Sequence, residues 1–351
     1  MISMDLFTLK SIPRIVNSSN LCAGTNCLNT TDLVYLKEIV ANNTPPYVPY
    51  RELTVNSTVK TFATGVGDAR GIAVADDGTV YVADYSGNRI RRVFRNGTVS
   101  VYAGNGTRGG VNGPALSSTF YYPQAVAVDR NGIVYVAEYF GYRIRRVYPN
   151  GMVDTMAGDG TSGSLDGNGT SAKLNTPSGL VIAPNGTIYF TESNSNYIRK
   201  ITPDGMVSTI ITSAYSPYGI TLDNTSSIIF TEAQAHRVRK IVSPSSVVLV
   251  AGNGTSGFAD GPAKTMAMFN QPGSVQVDYQ GVVYIGEFMN KRVRKLTPDG
   301  LVSTIAGDGN GGYLDGIASS AKLDTVLAIA LSSNGTLYFA ENNRIRTIQN
   351  L

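Results

Sequence analysis

The chain has 351 residues, of which 38 are glycine and 15% are charged, a composition that suits a turn-rich β protein. Its 29 Lys and Arg against 25 Asp and Glu give a net charge of +4, without a Lys/Arg run of the kind that binds nucleic acid. No stretch of 18 apolar residues occurs, so the sequence predicts no transmembrane helix.

The first 57 residues do not match the repeat that fills the rest of the chain, and we interpret them as an irregular N-terminal flank. The opening MISMDLFTLK lacks the basic start and the continuous apolar stretch of a signal peptide. Two explanations are open: the chain is a piece of a longer protein, or its gene start is misplaced.

The flank also carries two features that bear on location. Its cysteines, Cys22 and Cys27, either close a small disulfide loop or stay as two free thiols. Acceptor triplets for N-glycosylation begin at four flank positions, Asn17, Asn29, Asn42 and Asn56. We therefore expect an extracellular or cell-surface glycoprotein. The alternative is a chance cluster of triplets in the polar tail of a cytoplasmic protein.

A repeating unit begins after the flank, and its first clear copy runs from Arg70 to Gly104. It contains four short apolar runs, at 71–74, 79–84, 89–93 and 98–104, separated by Gly-bearing turns such as Asp-Asp-Gly and Arg-Asn-Gly. Such runs predict a four-stranded β-meander. A single sheet of this kind cannot bury both of its faces, so it needs copies of itself on either side.

Six copies are present. The apolar anchor of the first strand recurs at Ile72, Val126, Leu180, Ile220, Val275 and Ile329, with spacings of 54, 54, 40, 55 and 54 residues. A period of this length with four strands in each copy predicts an all-β, six-bladed β-propeller of antiparallel blades.

The two ends of the array predict how the ring closes. The last copy ends after its third strand, while TVKTFATG (58–65) resembles a fourth strand and stands alone before the first copy. We expect this early strand to complete the last blade, so that no sheet edge stays open at the seam. The predicted organisation is thus a flank at 1–57 and a propeller at 58–351.

The repeat resembles the NHL family of propellers, in which the second strand reads like YVAD (81–84) or YVAE (135–138) and the third like RIRR (89–92). The long Gly-rich connectors at 104–123, 158–177, 252–272 and 307–323 resemble those of teneurin-type NHL propellers. The resemblance covers residues 58–351 and implies the propeller fold. It does not imply one activity, because propellers host many functions.

Each long connector contains a Gly-x-Gly-x-x-Gly pattern, for example at Gly104, Gly106 and Gly109. A dinucleotide site needs this pattern between a strand and a helix of a βαβ unit, a context that a propeller does not provide. We interpret the patterns as crossings between blades, and the Asp-Gly pairs inside them as turn residues.

An acid at the end of the second strand is matched by an arginine in the third strand of every copy. The pairs are Asp84–Arg91, Glu138–Arg145, Glu192–Arg199, Glu232–Arg239, Glu287–Arg294 and Glu341–Arg346. Because a catalytic site occurs once per protein and this pair occurs in every blade, we expect it to tie each blade together. A ring of charges facing the central channel is the functional alternative.

Signals for an enzyme are few. His236 is the only histidine, which excludes a multi-histidine metal site within this chain. This weighs against the lyase type of NHL propeller, whose zinc chemistry relies on histidines. We predict no cofactor, while a Ca²⁺-dependent hydrolase, a lactonase or a lyase at the channel mouth stays an alternative.

The tips between the second and third strands and the long connectors share one face of the predicted propeller, the connector face. Aromatic side chains and arginine are common anchors of protein interfaces. Candidate binding residues on this face are Tyr85, Tyr139, Phe140, Tyr142, Tyr215, His236 and Phe288. We expect a monomeric, non-enzymatic module that binds a protein or glycan partner here. No nucleic-acid partner is expected, although RNA binding, as in some cytoplasmic NHL proteins, is a second alternative.

Overall fold

A computed structural model describes residues 22–23, 26–27, 57–243 and 246–349 of the chain. The chain divides into two compact units, Met1–Thr54 and Val55–Leu351. None of the described segments forms a helix with the length and apolarity that crossing a bilayer requires.

In the first unit, the strands Cys22–Ala23 and Asn26–Cys27 pair antiparallel, and Cys22 lies opposite Cys27. Their side chains are outside the described part of the chain, so the disulfide stays a prediction. The glycosylation candidates Asn17, Asn29, Asn42 and Asn56 also lie outside the described residues.

The second unit is a six-bladed β-propeller, as the sequence predicted, with each blade a separate antiparallel sheet. The first strands of blades 1 to 6 are Ala69–Val74, Pro123–Val128, Pro177–Ile182, Pro217–Leu222, Pro272–Val277 and Ala328–Leu331. The second strands are Val80–Asp84, Val134–Glu138, Ile188–Glu192, Ile228–Glu232, Val283–Glu287 and Leu337–Glu341. The third strands are Arg89–Val93, Arg143–Val147, Tyr197–Ile201, Arg237–Ser243, Arg292–Leu296 and Arg344–Gln349. The fourth strands are Val99–Ala103, Met152–Ala157, Met206–Ile211, Ser246–Ala251, Leu301–Ala306 and, in blade 6, Thr58–Thr64.

The ring closes as expected. Thr58–Thr64 pairs along the third strand of blade 6, with Val59 opposite Ile348 and Ala63 opposite Ile345. The first strands of neighbouring blades contact one another in a closed cycle around the central axis. The chain therefore fastens its last blade with its own early strand, which leaves no open sheet at the seam.

Four blades have more strands than the sequence predicted. A fifth, two-residue strand from the incoming connector pairs with the fourth strand of blades 2, 3, 5 and 6. These strands are Gly113–Pro114, Gly167–Asn168, Gly261–Pro262 and Gly316–Ile317. Single 3-10 turns follow at Gly169–Ser171 and Ala318–Ser320, and a third lies in the tip of blade 4 at Ala233–Ala235. Blades 1 and 4, which are entered by short connectors, keep four strands.

Asn-Gly-Thr triplets in the propeller also match the N-glycosylation pattern, and the structure shows several of them forming turns. Gly186 has a φ of +81°, which only glycine adopts at little cost, and the Asn185 side chain accepts a hydrogen bond from the Thr187 backbone N–H (3.0 Å). In the same way the Thr98 N–H donates to the side chain of Asn96, and the Thr336 N–H donates to that of Asn334. These triplets need no glycan to explain them.

The core lies between blades. One cluster joins Ile144 of blade 2 to Leu180 and Phe190 of blade 3, and the other clusters likewise combine side chains of two successive blades. Phe190 and Phe339 are fully buried second-strand residues. Because each blade covers the face of the next, the closed ring buries an apolar surface that one sheet would expose.

We predict that the closing strand contributes strongly to stability. Val59 is fully buried against blade 6, so Val59→Ala should lower the free energy of unfolding by about 2 kcal/mol. Val99, at the same strand position of blade 1, is half-buried, and Val99→Ala should cost about half as much. Urea unfolding of both variants measures the difference. Equal losses would contradict the assigned role of the closing strand.

Candidate functional site

The repeated acid–arginine pairs lie inside the blades. In blades 2, 3, 5 and 6 both partners are fully buried. The N–O distances are 3.1 Å for Arg145–Glu138, 2.8 Å for Arg199–Glu192, 3.1 Å for Arg294–Glu287 and 3.3 Å for Arg346–Glu341. A buried charge is tolerated only with close partners, so the acid and the arginine of each pair hold one another in place.

Each buried arginine also binds the incoming connector. Arg199 donates from Nη1 to the Lys173 carbonyl (2.8 Å) and from Nη2 to the Leu165 carbonyl (2.9 Å). Arg346 makes the same two bonds, to the carbonyls of Lys322 (2.8 Å) and Leu314 (2.7 Å). The guanidinium groups therefore face the connectors. The register between the third and fourth strands of blade 3 shifts beside the arginine, where Ile210 is an extra residue of the fourth strand, while the third strand pairs regularly with the second.

The Asp-Gly pairs do more than terminate turns, which corrects the sequence interpretation. Asp166 accepts hydrogen bonds from Arg199 Nη2 (2.9 Å), from the Thr209 N–H (3.0 Å) and from the Thr209 hydroxyl (2.9 Å). Asp260 and Asp315 do the same in blades 5 and 6. Each aspartate thus joins the connector to both the third and the fourth strand, and we call this assembly the connector clamp.

Blades 1 and 4 lack the clamp because their connectors are short. The Arg91 and Arg239 side chains are each 22% exposed, whereas those of Arg145, Arg199, Arg294 and Arg346 are 0% exposed. Arg91 Nε contacts Asp84 at 2.7 Å, while the distance from Arg239 to Glu232 is 3.7 Å. In blade 4, Arg237 forms the closer ion pair with Glu232.

The glutamates hold the chain just before each first strand. Glu192 accepts a hydrogen bond from the Asn175 N–H (3.0 Å), and Glu287 accepts one from the Asn270 N–H (2.9 Å). Burial raises the pKa of both glutamates, and the neighbouring arginine charge opposes that shift. Every oxygen used in these contacts serves the packing of the blade, so the geometry supports a structural role.

His236 occupies a structural position in the tip of blade 4. Its φ is +54°, and residues with the same left-handed backbone precede the third strand in the other blades. These residues are Asn88, Tyr142, Asn196, Lys291 and Asn343. His236 Nδ1 accepts the Gln271 N–H (3.2 Å), just as Asn196 Oδ1 accepts the Ser216 N–H (2.9 Å). The histidine therefore stands in for an asparagine.

The entrance of the channel contains polar side chains that sequence reasoning did not bring together. They lie two residues before the buried anchor of the first strand in blades 1 to 4, at Arg70, Gln124, Ser178 and Tyr218, whereas the same position is Gly273 in blade 5 and Leu327 in blade 6. Gln124 of blade 2 donates to the hydroxyl of Tyr218 in blade 4 (2.6 Å), across the first strand of blade 3. Arg70 lies close enough to lower the pKa of Tyr218, whereas burial, the larger effect, raises it. The fixed spacing of two residues from the anchor of each first strand is the sequence signal that could have identified this set of channel-entrance positions.

A cavity of about 600 Å³ opens beside these side chains. Blade 1 contributes Asp68, Arg70 and Ser86, and blade 5 contributes Gln271, Phe288 and Met289. Arg70 donates to Asp68 at 2.9 Å, and the ring of Phe288 meets that of Tyr218 edge-on at 5.2 Å. The cavity offers hydrogen-bonding groups next to aromatic rings.

An aromatic cluster extends outward from this entrance over blades 1 and 2. Its members are Tyr85, Tyr121, Tyr122, Tyr139 and Phe140, with neighbouring ring centroids 4.5 to 6.5 Å apart. Two guanidinium groups lie over its rings, Arg70 over Tyr85 (4.7 Å) and Arg108 over Tyr122 (4.5 Å). Three of the predicted binding residues thus lie together, and Phe288 lies at the channel entrance.

The other predicted binding residues are elsewhere. Tyr215 is 54% exposed on the short connector into blade 4, and its N–H donates to Glu232 (2.9 Å). Tyr142 has the left-handed backbone of the tip of blade 2, and His236 has that of blade 4. Within the described part of the chain, no three His, Cys, Asp or Glu side chains are grouped as a metal ion would require.

Comparisons with known proteins agree with this architecture. The teneurin NHL domain profile matches residues 161–311, and the NHL repeat profile matches residues 67–93. Teneurin-3 of Mus musculus is 28% identical over an alignment that covers 77% of this chain and 10% of that protein. The chain thus spans about a tenth of the length of this relative. The resemblance to NHL propellers of the teneurin type is confirmed.

Solved structures show the same fold at low sequence identity. A protein of unknown function from Bacteroides thetaiotaomicron has a TM-score of 0.67 and 20% identity, covering 83% of this chain and 75% of that one. A gluconolactonase from Xanthomonas campestris has a TM-score of 0.61 and 15% identity, covering 83% of this chain and 89% of that one. At these identities the similarity supports the fold alone.

We predict that the clamped acid–arginine pair of blade 5 stabilises the chain more than the pair of blade 1, which has no connector clamp. Arg294→Met leaves Glu287 and two connector carbonyls buried without their partner, which should cost about 3–5 kcal/mol. Arg91→Met removes a partly exposed group and should cost clearly less. Chemical denaturation of both variants compares the losses, and a loss at Arg294 no larger than at Arg91 would be inconsistent with the clamp.

We also predict a pH dependence at His236. Burial lowers its pKa, and its neutral Nδ1 accepts the Gln271 N–H, so its contribution to stability is complete above the unfolded pKa of about 6.5 and is lost as the pH falls through the folded pKa. His236→Asn keeps the hydrogen bond without a titrating group. Melting temperatures of the two proteins should be similar at pH 7.5, and the variant should be the more stable at pH 5.5. A difference that does not change with pH would exclude this role.

Proposed function

We propose that this NHL-repeat β-propeller with teneurin-type connectors is a non-enzymatic binding module that engages a protein or glycan partner on its connector face. The observation that carries the proposal is the aromatic cluster beside the channel entrance, with its two stacked arginines. Phe140 in this cluster is 38% exposed. Tyrosine and arginine are enriched where interfaces derive most of their binding energy.

The position of the cluster supports a ligand that spans the tips of blades 1 and 2. Tyr85 comes from the tip of blade 1, Tyr139 and Phe140 from the tip of blade 2, and Tyr122 from the connector between them. The Tyr85 hydroxyl, whose ordinary pKa is about 10 and is raised further by burial, is protonated at neutral pH and can donate a hydrogen bond. Rings with a polar end can stack on a sugar or fill a pocket in a protein.

We further propose that the chain works outside the cell or on its surface. The four acceptor triplets of the flank and the teneurin-type resemblance support this location. The Ca²⁺-dependent hydrolase and the RNA-binding module are the two alternatives that the sequence left open, and the experiment below separates them from the proposal.

The proposal predicts that aromatic residues of the cluster, and not of the opposite face, mediate binding. The full chain, displayed as a fluorescent tetramer, should stain cells of its source organism. Tyr122→Ala and Phe140→Ala should each lower staining more than about fivefold, since an interface anchor contributes more than about 1 kcal/mol. Tyr279→Ala is the matched control, because Tyr279 is 82% exposed in a turn on the other face.

Treating the cells with protease or with glycosidases distinguishes a protein partner from a glycan. Staining that is unchanged in both cluster variants, or lowered equally by Tyr279→Ala, would contradict the proposed site. Loss of staining after RNase treatment would favour the RNA alternative, and lactone hydrolysis that requires added Ca²⁺ would favour the enzyme.

A further inference from the structure

The outer edge of blade 1 differs from the outer edges of the clamped blades. In blades 2, 3, 5 and 6 a connector dipeptide covers the fourth strand, and the valine beneath it is buried to 2% exposure or less. These valines are Val153, Val207, Val302 and Val59. In blade 1 the equivalent Val99 is only half-buried, and the fourth strand ends its sheet. Within the described part of the chain, the edge therefore presents backbone groups that the clamped blades pair.

The register identifies which backbone groups face outward. In blade 3 the Thr209 N–H bonds to the connector residue Asp166, and Thr209 lies opposite Arg199. In blade 1 the residue opposite Arg91 is Val101, so the Val101 N–H points away from the sheet in the same way. The Val99 backbone, two residues earlier, has the same orientation.

The guanidinium group of Arg91 lies beside this edge. Arg91 bonds to Asp84 through Nε, and within residues 57–243 and 246–349 its Nη atoms make no hydrogen bond. In the clamped blades those same Nη atoms bind two connector carbonyls and an Asp or Asn side chain. Blade 1 thus retains the donor half of the clamp and lacks the acceptor half.

Blade 4, the other four-stranded blade, covers part of its own edge. Arg239 Nη2 donates to the Val247 carbonyl (2.7 Å), and Val247 holds the same strand position as Val99. The arginine of blade 4 therefore already occupies the place where an added strand would bind, whereas Arg91 does not.

We propose that the outer edge of blade 1 binds an extended Asp-Gly-containing segment of a partner protein, which adds a fifth strand and completes the connector clamp in trans. The partner's aspartate accepts from Arg91 and from the Val101 N–H, and the residues after it pair with the backbone of Val99. This recognition combines main-chain pairing with one charged contact, as in other cases of strand addition. The four clamped blades show that the repeat accepts such a segment.

The test uses a fluorescein-labelled synthetic peptide with the sequence of residues 163–175, GSLDGNGTSAKLN, which forms the clamp of blade 3. We expect saturable binding to the full chain by fluorescence anisotropy, and at least about tenfold weaker binding of a peptide with alanine in place of its aspartate. Arg91→Gln in the protein should weaken binding to a similar extent, and Arg239→Gln is the matched control that should leave it unchanged.

A gain of affinity provides a second, independent readout. All four clamped blades have threonine where blade 1 has Val101, and the hydroxyls of Thr209, Thr304 and Thr61 bond to the clamp aspartate. Val101→Thr should therefore tighten peptide binding several-fold, while Leu249→Thr, at the same position of blade 4, should not. Circular dichroism verifies that each variant is folded, and if Arg91→Gln is unfolded, the Val101→Thr pair decides the question.

Three results of the binding experiments would overturn the proposal. They are an absence of saturable peptide binding to the wild-type chain, an equal loss in Arg91→Gln and Arg239→Gln, and an unchanged affinity in Val101→Thr. A concentration-dependent dimer in sedimentation that the peptide dissociates would also overturn it, because the occupant would then be a second copy of the chain.

Discussion

The structure depends on one electrostatic constraint, which is that the charge of a guanidinium buried in a blade must be compensated by close partners. In four blades this requirement is met by a glutamate of the same blade and by carbonyls of the incoming connector, as at Arg199 with Glu192 and Leu165. A long, glycine-rich connector is thereby held against the outer strand. The position of the connectors, and so the shape of the face that they form, follows from that pairing.

Closure of the ring determines which parts of the propeller can vary. Closure by Thr58–Thr64 makes each blade a support for the next, so the tips can vary without loss of the core. Variation is visible on the connector face, where blades 1 and 2 place a continuous cluster of tyrosine, phenylalanine and arginine beside the channel entrance. A rigid ring that carries variable loops is a common basis for binding surfaces.

The two blades without a clamp are the irregular members of the array, and they compensate in different ways. Blade 4 turns Arg239 onto its own edge carbonyl, while blade 1 keeps Arg91 on Asp84, and none of the described strands pairs with the free edge of its outer strand. In a repeat protein such departures matter more than the shared features, because the shared residues serve packing in every copy. The departures are where one copy can acquire a separate role.

The sequence by itself determined the fold, the number of blades and the seam, because strand period, turn chemistry and copy spacing are local properties that the chain displays directly. It also paired each acid with its arginine. Only the tertiary structure decided where the arginines point, because neighbours on opposite faces of the third strand, such as Ile198 and Arg199, are both buried, and sequence parity therefore does not distinguish the two faces. The sequence likewise did not predict the extra strands or the contact of Gln124 with Tyr218 across the first strand of blade 3. These contacts join residues far apart in the chain, such as Asn168 and Met206, 38 positions apart, and Gln124 and Tyr218, 94 positions apart, and only the packing of connectors and blades brings them together.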